Sequence, residues 1–447
     1  MSESDGVRSD LNPLDPMQAV RPGLLQLSSL PPLSLYVHLP WCLQKCPYCD
    51  FNSHAVRDEG IPETAYVDAL LADLESQLDP QGALLQSGGA HAFASRRIAS
   101  VFLGGGTPSL FSPAAIARVL EGLRARLSFE ADVEVTLEAN PGTIERGRFA
   151  EYAAAGVNRV SLGAQTFSAQ ALLALGRIHA AEDTQRAAEE LHAAGLSNFN
   201  LDLMYALPQQ DVAGAIADVE RALALAPAQI SHYQLTLEPN TAFAARPPEH
   251  LPDDDTVAAM LEAARARLEA AGYARYEVSA YARAGRECRH NLGYWRYGDY
   301  LGLGAGAHGK CSWPSADDER DATTRSADVP ALRVRRSVQA RDPRKFLRDP
   351  RAALSVIEVT PAERPFEFML NALRLSEGTT RLEFERATGV AWTVLAPALE
   401  RAGAAGLLIG DLQRAVRPSE RGYAFLNDLL LEFLGPGQAA SPAMHSP

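Results

Sequence analysis

Cys42, Cys46 and Cys49 fall within eight residues, in the run His38-Leu-Pro-Trp-Cys42-Leu-Gln-Lys-Cys46-Pro-Tyr48-Cys49-Asp-Phe51. The spacing is C-x3-C-x2-C, and three thiolates on one tight loop can face a common centre. A structural zinc takes four ligands, and His38 or His54 could supply the fourth. An iron–sulfur cluster ordinarily takes four thiolates, so three would leave one iron open for something else to bind. Spacing alone leaves both readings open. Cys288 and Cys311 lie far downstream, and five cysteines in 447 residues do not make a secreted disulfide framework. Either could be a thiolate ligand or a plain buried cysteine, and burial is the expected reading.

Other residues could also do chemistry. Gly104-Gly105-Gly106-Thr107-Pro-Ser109 follows an apolar run, and its glycines would let a ligand approach backbone amides; it lacks the lysine of a nucleotide P-loop. Glu138, Gln165, Arg177 and Asp202 stand at or just beyond the ends of strand-like runs, where caps and surface residues also occur. In His290-Asn291-Leu-Gly-Tyr294-Trp295 an imidazole or phenol could ligate heme iron and the aromatic rings could stack on a porphyrin. The same residues could cap a turn and fill core. His308 is a second candidate ligand. Residues 333–351 carry eight basic side chains (Arg333, Arg335, Arg336, Arg341, Arg344, Lys345, Arg348, Arg351) against two acids, either a solvated face or a dock for heme propionates or an acidic partner.

The elements that must position these groups alternate. Strands are expected at Leu33–Leu39, Ile98–Leu103, Asp132–Glu138, Arg159–Gly163, Asn198–Tyr205 and Gln229–Leu237, and helices near 63–78, 113–127, 144–155, 181–194, 211–225 and 253–271. Six strand–helix units imply an α/β fold with a parallel sheet, flat or as a partial barrel. After Pro361 come three helical patterns (362–375, 381–388, 392–404), two β-type runs (Gly406–Ile409, Arg414–Pro418) and an apolar helix near 424–434, an order like a winged helix. The expected division is a flexible leader 1–32, a core barrel 33–312, a linker with the basic segment 313–360, a winged-helix-like α+β domain 361–436 and a disordered tail 437–447.

The composition, 47% hydrophobic and 22% charged, is that of a globular chain, and the net charge of −13 argues against general nucleic-acid binding. The first residues do not read as a secretory signal, and no apolar run suggests a membrane span. A cytoplasmic location is expected.

The cysteine loop resembles that of the radical S-adenosylmethionine (SAM) superfamily. That resemblance implies a [4Fe–4S] cluster on Cys42, Cys46 and Cys49, with the amino acid end of SAM on the fourth iron and one-electron cleavage of SAM to methionine and a 5′-deoxyadenosyl radical. It also implies a partial (β/α)6 TIM-like barrel. LYVHLPWC, GGGTPSL, LEANP, LGAQTF, GRIH, NLDLMYALP and SHYQLTLEPNT are similar to the coproporphyrinogen oxidase-like branch, across about residues 33–310. By that resemblance Tyr36, Gly105, Gly106, Thr107 and Glu138 would bind one SAM, Gln165, Arg177 and Asp202 a second, and Tyr48 would lie near the cluster.

Two features depart from the oxidase: Phe51 stands where its loop has a fourth cysteine, and the segment before the first strand is short. Both, with the HNxxYW stretch and the following YLGLGAGAHG, resemble the heme-chaperone branch, HemW. The implied function is a heme chaperone with heme as cargo on His290, Tyr294 and Trp295, and apo-cytochromes or other respiratory heme proteins as recipients. SAM binding and cleavage would be kept and coproporphyrinogen oxidation lost. Transient membrane-surface contact, and either a monomer or a dimer, fit this reading. The alternative is the oxygen-independent coproporphyrinogen III oxidase, which decarboxylates two propionates and belongs to porphyrin biosynthesis.

Overall fold

The computed structural model describes residues 30–86, 93, 96–142, 147–314 and 332–434. Most of the expected leader, the whole expected tail and residues 315–331 of the expected linker lie outside these.

Six parallel strands lie side by side in chain order: β1 (Leu33–Leu39), β2 (Arg97–Gly105), β3 (Ser128–Ala139), β4 (Arg159–Gln165), β5 (Phe199–Tyr205) and β6 (Gln229–Gln234). Helices connect them, including α1 (Glu63–Leu78), α2 (Pro113–Arg124), α3 (Phe149–Ala155), α4 (Ala181–Ala193) and α5 (Val212–Ala224), and α6 (Asp254–Ala270) follows β6. This is the α/β arrangement expected of a partial (β/α)6 barrel. Local chemistry sets the helix ends: Ser112 Oγ accepts from Ala115 N–H with Pro113 at the first helical position, and Gly156 closes α3 at φ 108°.

Strand alternation sorts the two faces. Leu33, Leu35, Val37 and Leu39 pack into the main core with Tyr66, Leu70 and Leu74 of α1. Ser34, Tyr36 and His38 take the other face, as do Ser100, Thr136, Arg159 and Asn200. This inner face is polar and internally bonded: Arg159, 2% exposed, donates to Gln229 Oε1 at 2.7 Å, and Ser100 Oγ donates to Ser34 Oγ at 2.8 Å.

A seventh parallel strand, β7 (Asp299–Leu303), pairs with the far side of β1, so β1 is an interior strand. Beyond it run three antiparallel strands, His308–Pro314, Leu332–Val338 and Ser355–Glu358. Two of them correct the expectation of a linker over 313–360. Arg333, Arg335 and Arg336 mask the pattern, because ion pairs with Glu358 and Glu367 make them tolerable in a sheet.

The C-terminal part runs helix (Arg364–Ala372), strand (Thr379–Thr380), helix (Arg381–Thr388), a 3-10 turn continuing into a helix (Ala396–Ala404), then a hairpin (Leu408–Asp411, Ala415–Pro418). That is a winged-helix order, around its own core of Phe368, Met369, Phe384, Trp392 and Leu399. The helix expected near 424–434 is two short helices, Glu420–Ala424 and Leu426–Leu431. No helix of the described residues is long and apolar enough to cross a membrane.

Candidate functional site

The C-terminal ends of the parallel strands open into a cleft of about 310 Å³. β1 delivers the cysteine loop to it. Gly106 N–H donates to Leu39 O and Thr107 N–H to Trp41 O, at 2.9 and 2.7 Å, fastening the glycine loop under the cysteine loop. A Cβ on Gly106 would lie 2.5 Å from Trp41 O, and one on Gly105 (φ 114°) 2.5 Å from the His38 ring. These glycines are therefore demanded by the contact between the two loops.

Cys42, Cys46 and Cys49 all line the cleft. Thr107 Oγ1 donates to Cys42 Sγ at 3.5 Å, Arg177 Nη1 to Cys46 Sγ at 3.7 Å, and Ser53 Oγ lies 3.8 Å from Cys49 Sγ. Arg177 is anchored on Asn140 Oδ1 and on Gly163 O, the latter at 2.7 Å. Donors aimed at sulfur suit thiolates. Among the described residues no three His, Cys, Asp or Glu side chains converge as a single ion would need. Three thiols on one cleft, each beside a hydrogen-bonding group, form a donor set of the kind an iron–sulfur cluster takes.

The rest of the lining is polar. Glu138 accepts from Gly105 N–H at 3.0 Å. Burial and the neighbouring Asp202 push its carboxyl up to about 8. Burial also raises Asp202, which accepts from Ser161 Oγ (3.0 Å) and Asn200 Nδ2 (2.7 Å). Two carboxyls held against their ionised forms make the cleft receptive to a cationic ligand. Gln165 sits at φ 66° where β4 bulges against β5, and its Oε1 accepts from Tyr233 OH at 2.5 Å. That left-handed conformation turns the side chain into the cleft.

Known proteins resemble this chain along nearly its whole length. The radical SAM superfamily pattern matches residues 36–222, and the HemN C-terminal domain pattern matches residues 359–425. Heme chaperone HemW of Escherichia coli is 46% identical over 406 residues, covering 91% of this chain and 99% of that protein. The chain belongs to the HemW family. HemW of Haemophilus influenzae is 43% identical with the same coverage, and the mouse mitochondrial radical S-adenosyl methionine domain-containing protein 1 is 34% identical over 90% of this chain and 87% of that protein. Coproporphyrinogen III oxidase HemN of E. coli, a radical SAM enzyme, shares the fold, with a TM-score of 0.71 over 90% of each chain at 21% identity.

In this HemW-family chain the residues singled out from sequence divide into two groups. The cysteines, Tyr48, Gly105, Gly106, Thr107, Glu138, Gln165, Arg177 and Asp202 all line the one cleft. Tyr36 lies deeper in the barrel, its hydroxyl 2.9 Å from His38 Nδ1 and its ring 6.4 Å from that of Phe102. His290, Tyr294 and Trp295 are not brought to the cleft. They lie on a short helix, α7 (Arg289–Trp295), against the N-terminal halves of β1 and β2. The His290 ring is 2% exposed, stacks on Phe102 at 5.0 Å and has Nδ1 3.0 Å from Ser100 Oγ. Burial lowers its pKa to about 3, so the imidazole is neutral. The Tyr294 ring packs on His290 and Tyr300, and Trp295 lies under the Arg374 guanidinium at 4.7 Å. Cys288 and Cys311 are fully buried.

Asn140, Ser161 and Tyr233 line the cleft without having been singled out. Asn140 follows the end of β3 directly, and Tyr233 alternates with Ser231 along β6, so the strand-end rule that found Glu138 reaches both.

Proposed function

We propose that this chain is a heme chaperone: it binds heme and a SAM-liganded [4Fe–4S] cluster and delivers heme to respiratory apoproteins. The observation that carries the reading is the similarity, over 99% of their length, to proteins named heme chaperones. The cleft supports the cofactor part. Cys42, Cys46 and Cys49 would hold the cluster, which when bound supplies one electron to the SAM sulfonium. Arg177 would offset thiolate charge on Cys46, and Thr107 would donate a hydrogen bond to the Cys42 thiolate. Gly105, Gly106 and Thr107 would border the methionine end of SAM, and Glu138 would face its positive charge. Gln165, Arg177 and Asp202 would line a second SAM position, with Tyr48 beside the cluster. Phe51, 54% exposed at the cleft mouth, stands where the oxidase's loop has a cysteine.

The test is anaerobic reconstitution followed by two parallel assays. Saturable heme binding with transfer to an apo-cytochrome is expected. Conversion of coproporphyrinogen III to protoporphyrinogen IX at an enzymatic rate would overturn the reading.

A further inference from the structure

The basic run at 333–351 is divided by the fold. Arg333 and Arg335 pair with Glu358, Arg336 with Glu367, and Arg351 with Glu75. Arg341, Arg344 and Lys345 are exposed and make no ion pair among the described residues. They stand where three segments are stitched together. Asn52 Nδ2 donates to Ala305 O and to Arg341 O, both at 2.9 Å. Gln339 N–H donates to Ala307 O at 2.9 Å, and His308 is in register with Val338. Exposed Phe51 precedes Asn52, and exposed His308 follows Ala307. Phe51 thus stands at the cleft mouth, one residue from the Asn52 contact that fastens Arg341, and Arg341 lies near the His308 imidazole.

Heme is a flat apolar ring with two carboxylates and an iron that accepts an imidazole. We propose that heme docks on this face, with its ring against Phe51, its iron on His308 and its propionates on Arg341 and Arg344. The inference rests on the heme-binding reading above and adds the place and the ligand. Partial burial and the charges of Arg336 and Arg341 hold His308 below the ordinary imidazole value, which leaves a lone pair free at neutral pH. Buried His290 has no such access. Phe51 also ends the cysteine loop, so heme here would lie beside the cluster.

The experiment is heme titration of the full-length, anaerobically reconstituted chain, read as a difference spectrum against a heme-free reference and by magnetic circular dichroism. Iron–sulfur content and thermal midpoint check that each variant is intact. His308→Ala should lose the imidazole-ligated signature and at least about tenfold in affinity, and free imidazole should restore the signature in His308→Gly. Arg341→Glu with Arg344→Glu should weaken heme about tenfold with the coordination spectrum unchanged. An unchanged spectrum in His308→Ala, or unchanged affinity in the double variant, overturns this inference and leaves the chaperone reading standing. A wild-type chain with no saturable heme spectrum overturns both.

Discussion

Replacing Glu138 with Gln should stabilise the ligand-free protein, by an amount that grows with pH. The carboxyl is pushed from its ordinary 4.5 up to about 8 by burial and the nearby Asp202. Below 4.5 it is protonated in both the folded and the unfolded chain, and nothing is lost. Between 4.5 and 8 the unfolded chain ionises while the folded one stays protonated, so stability falls as pH rises through that window. At pH 7, about 2.5 pH units above the ordinary value, the ceiling on this loss is about 3.4 kcal/mol. Glu138 borders an open cleft that retains solvent, which reduces the expected figure to about 1–2 kcal/mol. Gln is neutral throughout, has nearly the same shape, and keeps an oxygen for the Gly105 amide. Urea unfolding of both proteins without SAM at pH 5, 7 and 8 reads the difference directly. The gain should be near zero at pH 5, clear at pH 7 and largest at pH 8. A variant no more stable than wild type at pH 8, or a gain that ignores pH, would refute the electrostatic account of the cleft. The same change should weaken SAM binding, because Glu138 can give up its proton and become an anion when the sulfonium binds, whereas the amide cannot.

Three further perturbations probe other parts of the structure. Serine at Cys42, Cys46 or Cys49 should reduce iron and sulfide after reconstitution from about four of each per chain to near zero, with the far-ultraviolet spectrum unchanged. Gly106→Ala should lower stability by about 1–3 kcal/mol in urea unfolding and reduce cluster loading, since its Cβ would meet Trp41 O at 2.5 Å. Asp299→Asn should destabilise by about 3–5 kcal/mol, or prevent folding, by leaving Arg96 and Lys310 buried without the carboxylate they share at 2.9 Å; thermal unfolding reads the loss.

The barrel and its cleft were legible in sequence because both obey short-range rules. Six β-type runs ended near polar residues, and the structure gathers those ends. The sequence marks the glycine loop as a place for ligand amides, yet the close contacts at Gly105 and Gly106 are with His38 and Trp41, which only the fold brings near. The strand Leu332–Val338 is hidden in the sequence because its arginines obscure a two-residue period, and their partners Glu358 and Glu367 are distant in sequence. His290 looked like a ligand because imidazole chemistry is visible in sequence. Its burial against Phe102 and Ser100 depends on β2, which lies 190 residues away along the chain. Positive φ at Gln165 has no glycine to announce it.

The strand order also sets a timetable for synthesis. β1 and the cysteine loop leave the ribosome early, but β1 gains its second neighbour only when Asp299–Leu303 has been made. Asn52, at the end of that loop, waits longer still, for carbonyls 253 and 289 residues downstream. Contacts of such long range form late. The thiols of Cys42 and Cys46 meet Thr107 and Arg177, 65 and 131 residues on, while the end of their loop is fixed only from much farther downstream. A cluster on these thiols would therefore sit in a loop whose final anchor is supplied by residues 305 and 341.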